Sequence, residues 1–232
     1  VSCRNVTQSH RYNTLIFEEK QNSDKLLSTI LPPSLVERVQ EGEKNISFSV
    51  QSASILFSDI VNFTPWCGSL PAEKVMSTLN ILFKRFDSIL ETKPTMTKIK
   101  CIGDCYMAAG GIFAELNQPA VHAKEVVSFG LKSIQEIILI DEEIKQNLQI
   151  RVGVNTGGPI VAGVLGIGKP TFEIIGPSIN RAQQMEHYGV PMKVHISMDV
   201  YELICGLNFK FWNRRQIEIK NGTVRTYLVN GK

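Results

Sequence analysis

From about residue 46 onward the apolar residues switch period repeatedly, and that alternation limits the chain to a fold of mixed helices and strands. Ser54-Ile-Leu-Phe-Ser58 is a strand-like run leading into Asp59, whereas Val75, Leu79, Leu82, Phe83, Phe86 and Leu90 recur at helical spacing between Pro71 and Leu90. Met96 to Ile102 and Tyr106 to Ala109 flank Gly103-Asp104, the composition of a tight hairpin. A helix from about Pro119 to Ile140 follows. Gln149 to Val154 and Pro159 to Leu165 are joined by Asn155-Thr-Gly-Gly158, which predicts a second hairpin. Phe172 to Ile175, a helix from Pro177 to about Tyr188, Lys193 to Ile196, a helix after Ser197, and strands at Ile217 to Lys220 and Val224 to Val229 complete the series. Strand–helix units mixed with hairpins predict an α+β fold, a sandwich of helices on a largely antiparallel sheet.

Residues 1–45 read differently, as a connector. Tyr12 to Leu31 carries Leu15, Ile16, Leu26, Leu27 and Ile30 around a charged middle, the pattern of a helix that needs a partner. Pro32-Pro33 stops that helix and opens a short second one, Ser34 to Gln40, before Gly42. The remainder, 46–232, is expected to be one domain with its own core.

Charge narrows the function. Lys plus Arg number 25 and Asp plus Glu 22, a net charge of +3 with no basic tract, so a nucleic-acid partner is not expected. No apolar run reaches the roughly 18–20 residues of a membrane span. Five cysteines, with Cys101-x-x-x-Cys105 lacking a second pair, favour reduced thiols over a disulfide framework or a zinc site. The four histidines show no metal-ligand spacing.

Gly163-x-x-x-x-Gly168-Lys169 has the spacing of a phosphate-binding loop, but Pro170 stands where a magnesium-binding hydroxyl belongs and strand rather than helix follows. It reads as a glycine-rich turn. Asp59, at the end of a strand, and Asp104, at a hairpin tip, are more informative. Adjacent strands can bring them together, and hard carboxylate oxygens in a pair suit Mg²⁺ or Mn²⁺. By spacing alone each is better explained as a turn residue.

Four ordered strings decide between these readings: Phe57-Ser-Asp-Ile-Val-Asn-Phe-Thr64, Ile102-Gly-Asp-Cys-Tyr-Met107, Arg151-Val-Gly-Val-Asn-Thr-Gly157 and Lys169-Pro-Thr-Phe-Glu-Ile-Ile-Gly176. Together they resemble the class III nucleotidyl cyclase catalytic domain, and Leu26-Leu-Ser-Thr-Ile-Leu-Pro-Pro33 resembles the helix joining such domains to upstream sensor or membrane regions. The resemblance implies a ferredoxin-like cyclase fold and a dimer with active sites at the interface. The reaction it implies turns a nucleoside triphosphate into its 3′,5′-cyclic monophosphate and pyrophosphate. It also implies two divalent ions per site, held by Asp59 and Asp104 with the Ile60 backbone carbonyl. Asn180 falls on the ribose-orienting position and Lys220 on a lysine that neutralises the terminal phosphates. The expected location is intracellular, at the cytoplasmic side of a membrane in the full-length protein.

Lys100 and Glu173 fall on the purine-reading positions. Adenine offers an acceptor at N1 and a donor at its 6-amino group, matching a lysine that only donates and an ionised glutamate that only accepts. Guanine reverses both, leaving polar groups unpaired at about 1–3 kcal/mol each. Guanylyl members carry an acidic residue at the Lys100 position, typically with cysteine at the other. ATP is therefore the expected substrate, with GTP as the alternative. Glu173 departs from the usual adenylyl Asp or Thr by one methylene.

A second departure is Gln184, which stands where the family has a transition-state arginine, four residues after Asn180. Arg181 lies about 100° around the helix from Asn180. Ile179, Ala182 and Met185 are expected to face the core, leaving Asn180, Gln184 and His187 together outside. The expected assembly is a homodimer, or a heterodimer with an arginine-bearing cyclase domain. A weak regulatory or dimerisation module is the further alternative.

Overall fold

A computed structural model describes residues 14–22, 25–28, 31–166, 170–219 and 222–230. The chain divides into two compact units, one of residues 1–47 with 163–173 and one of residues 48–162 with 174–232.

In the first unit, residues 14–22 and 25–28 are helical, and a helix α1 (Pro33–Gln40) opens on proline at its first turn, as the sequence predicts. Leu31, Leu35 and Val36 are buried, whereas Leu15, Ile16 and Phe17 are exposed. The Val164 amide donates to the Ile46 carbonyl at 2.9 Å, and Arg38 Nε donates to Glu43 Oε2 at 2.6 Å.

The second unit is built on seven strands in the order β3-β4-β2-β5-β8-β10-β9: β2 (Ala53–Ile60), β3 (Met96–Ile102), β4 (Cys105–Gly110), β5 (Ile150–Gly157), β8 (Val194–Ser197), β9 (Lys210–Ile219) and β10 (Gly222–Asn230). Every described pairing in it is antiparallel except β5 with β8. The helices are α2 (Phe63–Gly68), α3 (Ala72–Leu90), α4 (Pro119–Ile144), α5 (Pro177–His187) and α6 (Met198–Ile204). The expected α+β architecture is found.

Alternation sorts the two faces of this sheet. Leu56 and Ile60 on β2 and Val152 and Val154 on β5 join Leu82, Phe86, Phe129, Ile137 and Val200 in one apolar core under α3, α4 and α6. Each such side chain, fully buried, contributes about 1.5–3 kcal/mol. The opposite face carries Phe57, Asp59, Arg151 and Gly153 and receives α5. Gly153 permits that seating, because a Cβ there would lie 1.9 Å from the Glu186 amide nitrogen.

The hairpin predicted across Asn155–Gly158 does not form. β5 runs on to Gly157, and β6 (Ile160–Leu165) belongs instead to a second sheet of order β1-β6-β7 with β1 (Ser47–Val50) and β7 (Thr171–Ile175). Pairing along the whole length of β2, from Ala53↔Gly157 to Ile60↔Ile150, outweighs the turn composition of Asn-Thr-Gly-Gly. At Gly158 the backbone passes so close to Gln51 that a Cβ would come within 1.9 Å of its carbonyl oxygen. β7 follows the rejected phosphate-loop spacing as a strand, as expected. The closing strand read as Ile217 to Lys220 begins earlier, at Lys210, and Lys220 itself lies outside the described residues.

Candidate active site

Asp59 is the penultimate residue of β2 and Asp104 sits in the two-residue turn between β3 and β4, where Gly103 takes φ 61°. Because β2 and β4 are neighbours in the sheet, the strand end and the hairpin tip meet. The Asp104 carboxyl faces the Asp59 carboxyl and the backbone of Ile60. Burial, and after it the Asp59 charge, raise Asp104 to about 6. Two carboxyls brought side by side favour a positive charge between them, and their hard oxygens fit a divalent cation. Among the described residues no group of three or more His, Cys, Asp or Glu side chains suits a metal ion. The oxygens that could hold a cation here are those of the two carboxyls and the Ile60 carbonyl.

The same face supplies a cation of its own. Arg151 lies directly across from Asp59 in the β2–β5 register, and its Nη2 donates to Asp59 Oδ2 at 3.3 Å. Its Nε donates to Glu186 Oε1 at 2.9 Å. Glu186 is buried, 7% exposed, and burial raises its carboxyl while Arg151 opposes the shift. Sequence reasoning missed both residues. Arg151 was visible only as part of a motif, and Glu186, next to the expected core residue Met185, carries no apolar signal; Gly153 was the available hint of a close helix.

Helix α5 carries Asn180 and Gln184. Its start is held by Asn155, whose Nδ2 donates to the Ser178 carbonyl at 3.0 Å. Ala182 and Met185 are buried as expected, Ile179 is half-buried, Asn180 and His187 are exposed and Gln184 is half-buried. Lys100 is half-buried on β3 beside a bulge between Lys98 and Lys100, and Glu173 is half-buried on β7 in the first unit. The structure therefore brings together Asp59, Ile60 and Asp104, sets Asn180 and Gln184 one turn apart, and leaves Lys220 outside the described residues.

The model of the adenylate and guanylate cyclase catalytic domain matches residues 47–231. The human guanylate cyclase soluble subunit beta-2 is 32% identical over 213 residues, which span 91% of this chain and 34% of that protein. The rat guanylate cyclase 2G is 34% identical over 218 residues, 92% of this chain and 20% of that protein. The chain thus spans about a third or less of the length of these curated relatives. Among solved structures, the catalytic core of a rhodopsin-guanylyl cyclase with converted specificity, in complex with ATPαS, superposes with a TM-score of 0.74 at 32% identity, covering 80% of this chain and 98% of that one. The guanylate cyclase domain from Catenaria anguillulae in complex with GTP gives 0.73 at 31%, covering 80% and 99%. The adenylyl cyclase CyaB from P. aeruginosa gives 0.74 at 26%, covering 80% and 96%. No helix among the described residues is long and apolar enough to cross a membrane. With the matched region spanning both aspartates, the turn that carries Asp104 and helix α5, the chain belongs to the adenylate and guanylate cyclase catalytic domain family.

Proposed function

We propose that this cyclase domain converts ATP to 3′,5′-cyclic AMP and pyrophosphate at sites shared by two protomers, with residues 1–45 serving as the connector to an upstream sensor or membrane region. The observation that carries the catalytic reading is the convergence of the Asp59 and Asp104 carboxyls where the end of β2 meets the β3–β4 hairpin tip. In this reading those two side chains and the Ile60 carbonyl hold two Mg²⁺ or Mn²⁺ ions. Bound there, the ions acidify the ribose 3′-hydroxyl and neutralise the triphosphate and the departing pyrophosphate. From the other protomer, Asn180 orients the ribose, Lys220 meets the terminal phosphates, and Gln184 occupies the position next to the developing charge without supplying any. Lys100 donates to adenine N1 and Glu173 accepts from the 6-amino group.

A second reading, GTP as substrate, is favoured by the guanylate cyclase names of the curated relatives. It requires Lys100 to face a donor at N1 and Glu173 an acceptor at O6. Steady-state assays with ATP and GTP in Mn²⁺ separate the two. A higher kcat/KM for ATP is expected, and Lys100→Glu with Glu173→Cys is expected to shift the preference to GTP. A native preference for GTP overturns the ATP reading. Mixing the chain with an arginine-bearing cyclase domain tests the heterodimer, which is expected to turn over faster than the homodimer.

A further inference from the structure

The Asp59–Arg151–Glu186 chain of charges joins the strand that ends at the aspartate pair to the helix that carries Asn180 and Gln184. We propose that Glu186 is a positioning residue for the cation site, acting through Arg151: it draws the guanidinium toward itself, limits its hold on Asp59 to the longer contact, and so ties the availability of that carboxylate to the seating of helix α5. The proposal rests on the reading of Asp59 and Asp104 as cation ligands.

Three features support it. Asp59, Arg151 and Gly153 share one face of the β2–β5 pair, and α5 lies against that face at backbone contact over Gly153, which brings Glu186 to Arg151. A guanidinium is a fork that serves two carboxylates at once, which the compact ammonium of a lysine does not. The fork is also unequal here: its contact with the buried Glu186 is 2.9 Å and that with Asp59 is 3.3 Å. A buried carboxylate without its counter-charge is costly, so Glu186 keeps the stronger claim on Arg151. A cation at Asp59 and the guanidinium compete for the same carboxylate, because like charges repel and both prefer its oxygens. Losing Glu186 as a partner frees Arg151 to close on Asp59. A shift of α5 does the same by degrees, which makes the cation site responsive to whatever engages Asn180 and Gln184.

The test is Mn²⁺ binding to the full chain without nucleotide, followed by the electron paramagnetic resonance of free Mn²⁺, with urea melts in chelator to verify folding. Glu186→Gln is expected to weaken Mn²⁺ binding about tenfold, the scale on which residues behind metal ligands act. In the Glu186→Gln/Arg151→Met double variant, which removes both members of that ion pair, affinity is expected to return to within about threefold of native, because the competing guanidinium is gone. Native affinity in Glu186→Gln overturns the proposal, as does a double variant that stays as weak as the single one. Asp104→Asn separates this from the underlying reading: if it binds Mn²⁺ like the native chain, the aspartate pair is not the cation site and the proposal goes with it.

Discussion

The Tyr106 hydroxyl donates to Asp87 Oδ1 at 2.7 Å, fastening the β3–β4 hairpin to helix α3 two residues from Asp104. Lys98 holds the other oxygen of Asp87 at 2.8 Å. Tyr106 is fully buried between Phe83, Phe86 and Phe129, whereas the Lys98 side chain is 37% exposed. A hydrogen bond from a buried hydroxyl to a carboxylate outweighs an ion pair from a half-exposed ammonium. Tyr106→Phe is expected to lower the unfolding free energy by about 1.5–3 kcal/mol. Lys98→Met is expected to cost less than about 1 kcal/mol. Urea melts of the two variants check the order, and the reverse order refutes it.

Asp104 illustrates the tension between stability and a charged site. Its burial beside Asp59 is unfavourable without a cation, so Asp104→Asn is expected to leave the metal-free chain at neutral pH as stable as native or more so. If the aspartate pair holds the cation as proposed, the native chain is expected to gain about 1.4 kcal/mol of stability at tenfold excess over the dissociation constant. Thermal melts with and without Mn²⁺ check this: the melting temperature of the native chain rises and that of Asp104→Asn does not. An equal rise in both removes the aspartates as ligands.

His122 gives the fold a sensitivity to acid. Its ring is 1% exposed, packed against Gly111, and its Nε2 accepts from the Gln118 amide at 3.1 Å at the start of α4. Burial lowers its pKa from 6.5, while Glu125 nearby opposes the shift. A folded-state value below the unfolded one means that the stabilising contribution is complete above 6.5 and is lost as pH falls, because the unfolded chain takes up a proton that the folded chain refuses. His122→Gln keeps an acceptor for Gln118 without a titrating group. Between pH 7.5 and 5.5 the native chain is expected to lose more stability than the variant in urea melts, and parallel losses refute the assignment.

What was legible in the sequence and what was not divides by the range of the interaction. The Gly103-Asp104 turn and the helical period of α3 are local signals, and both elements form as expected. Asn155-Thr-Gly-Gly158 is equally turn-like locally, yet eight residues of β2 hold β5 extended through Gly157, a pairing between segments about a hundred residues apart that no local pattern encodes. The aspartate pair was readable because two separate motifs each carried one member. The Arg151–Glu186 contact was not, because a glutamate on a helix next to a methionine looks solvated until Gly153 is known to seat the helix.

Gln184 is the residue on which the rate depends in the proposed reaction. It lies four residues from Asn180 on α5, about 6 Å along the axis and on the same side, half-buried. An amide in that position hydrogen-bonds but adds no positive charge where negative charge develops on the phosphoryl oxygens. A single lost stabilising group at such a centre costs about 10²–10³ in rate. Gln184→Arg is therefore expected to raise kcat by about that factor while KM for ATP changes little, since the added interaction forms chiefly in the transition state. Arg181, about 60° around the helix from Gln184, is the other candidate source of charge. If it already serves, Arg181→Ala lowers the native rate by a similar factor and Gln184→Arg adds nothing. Steady-state kinetics of the two variants in Mn²⁺ decide between the residues, and a chain that is inert in both, and inert natively, is not a cyclase in its homodimeric form.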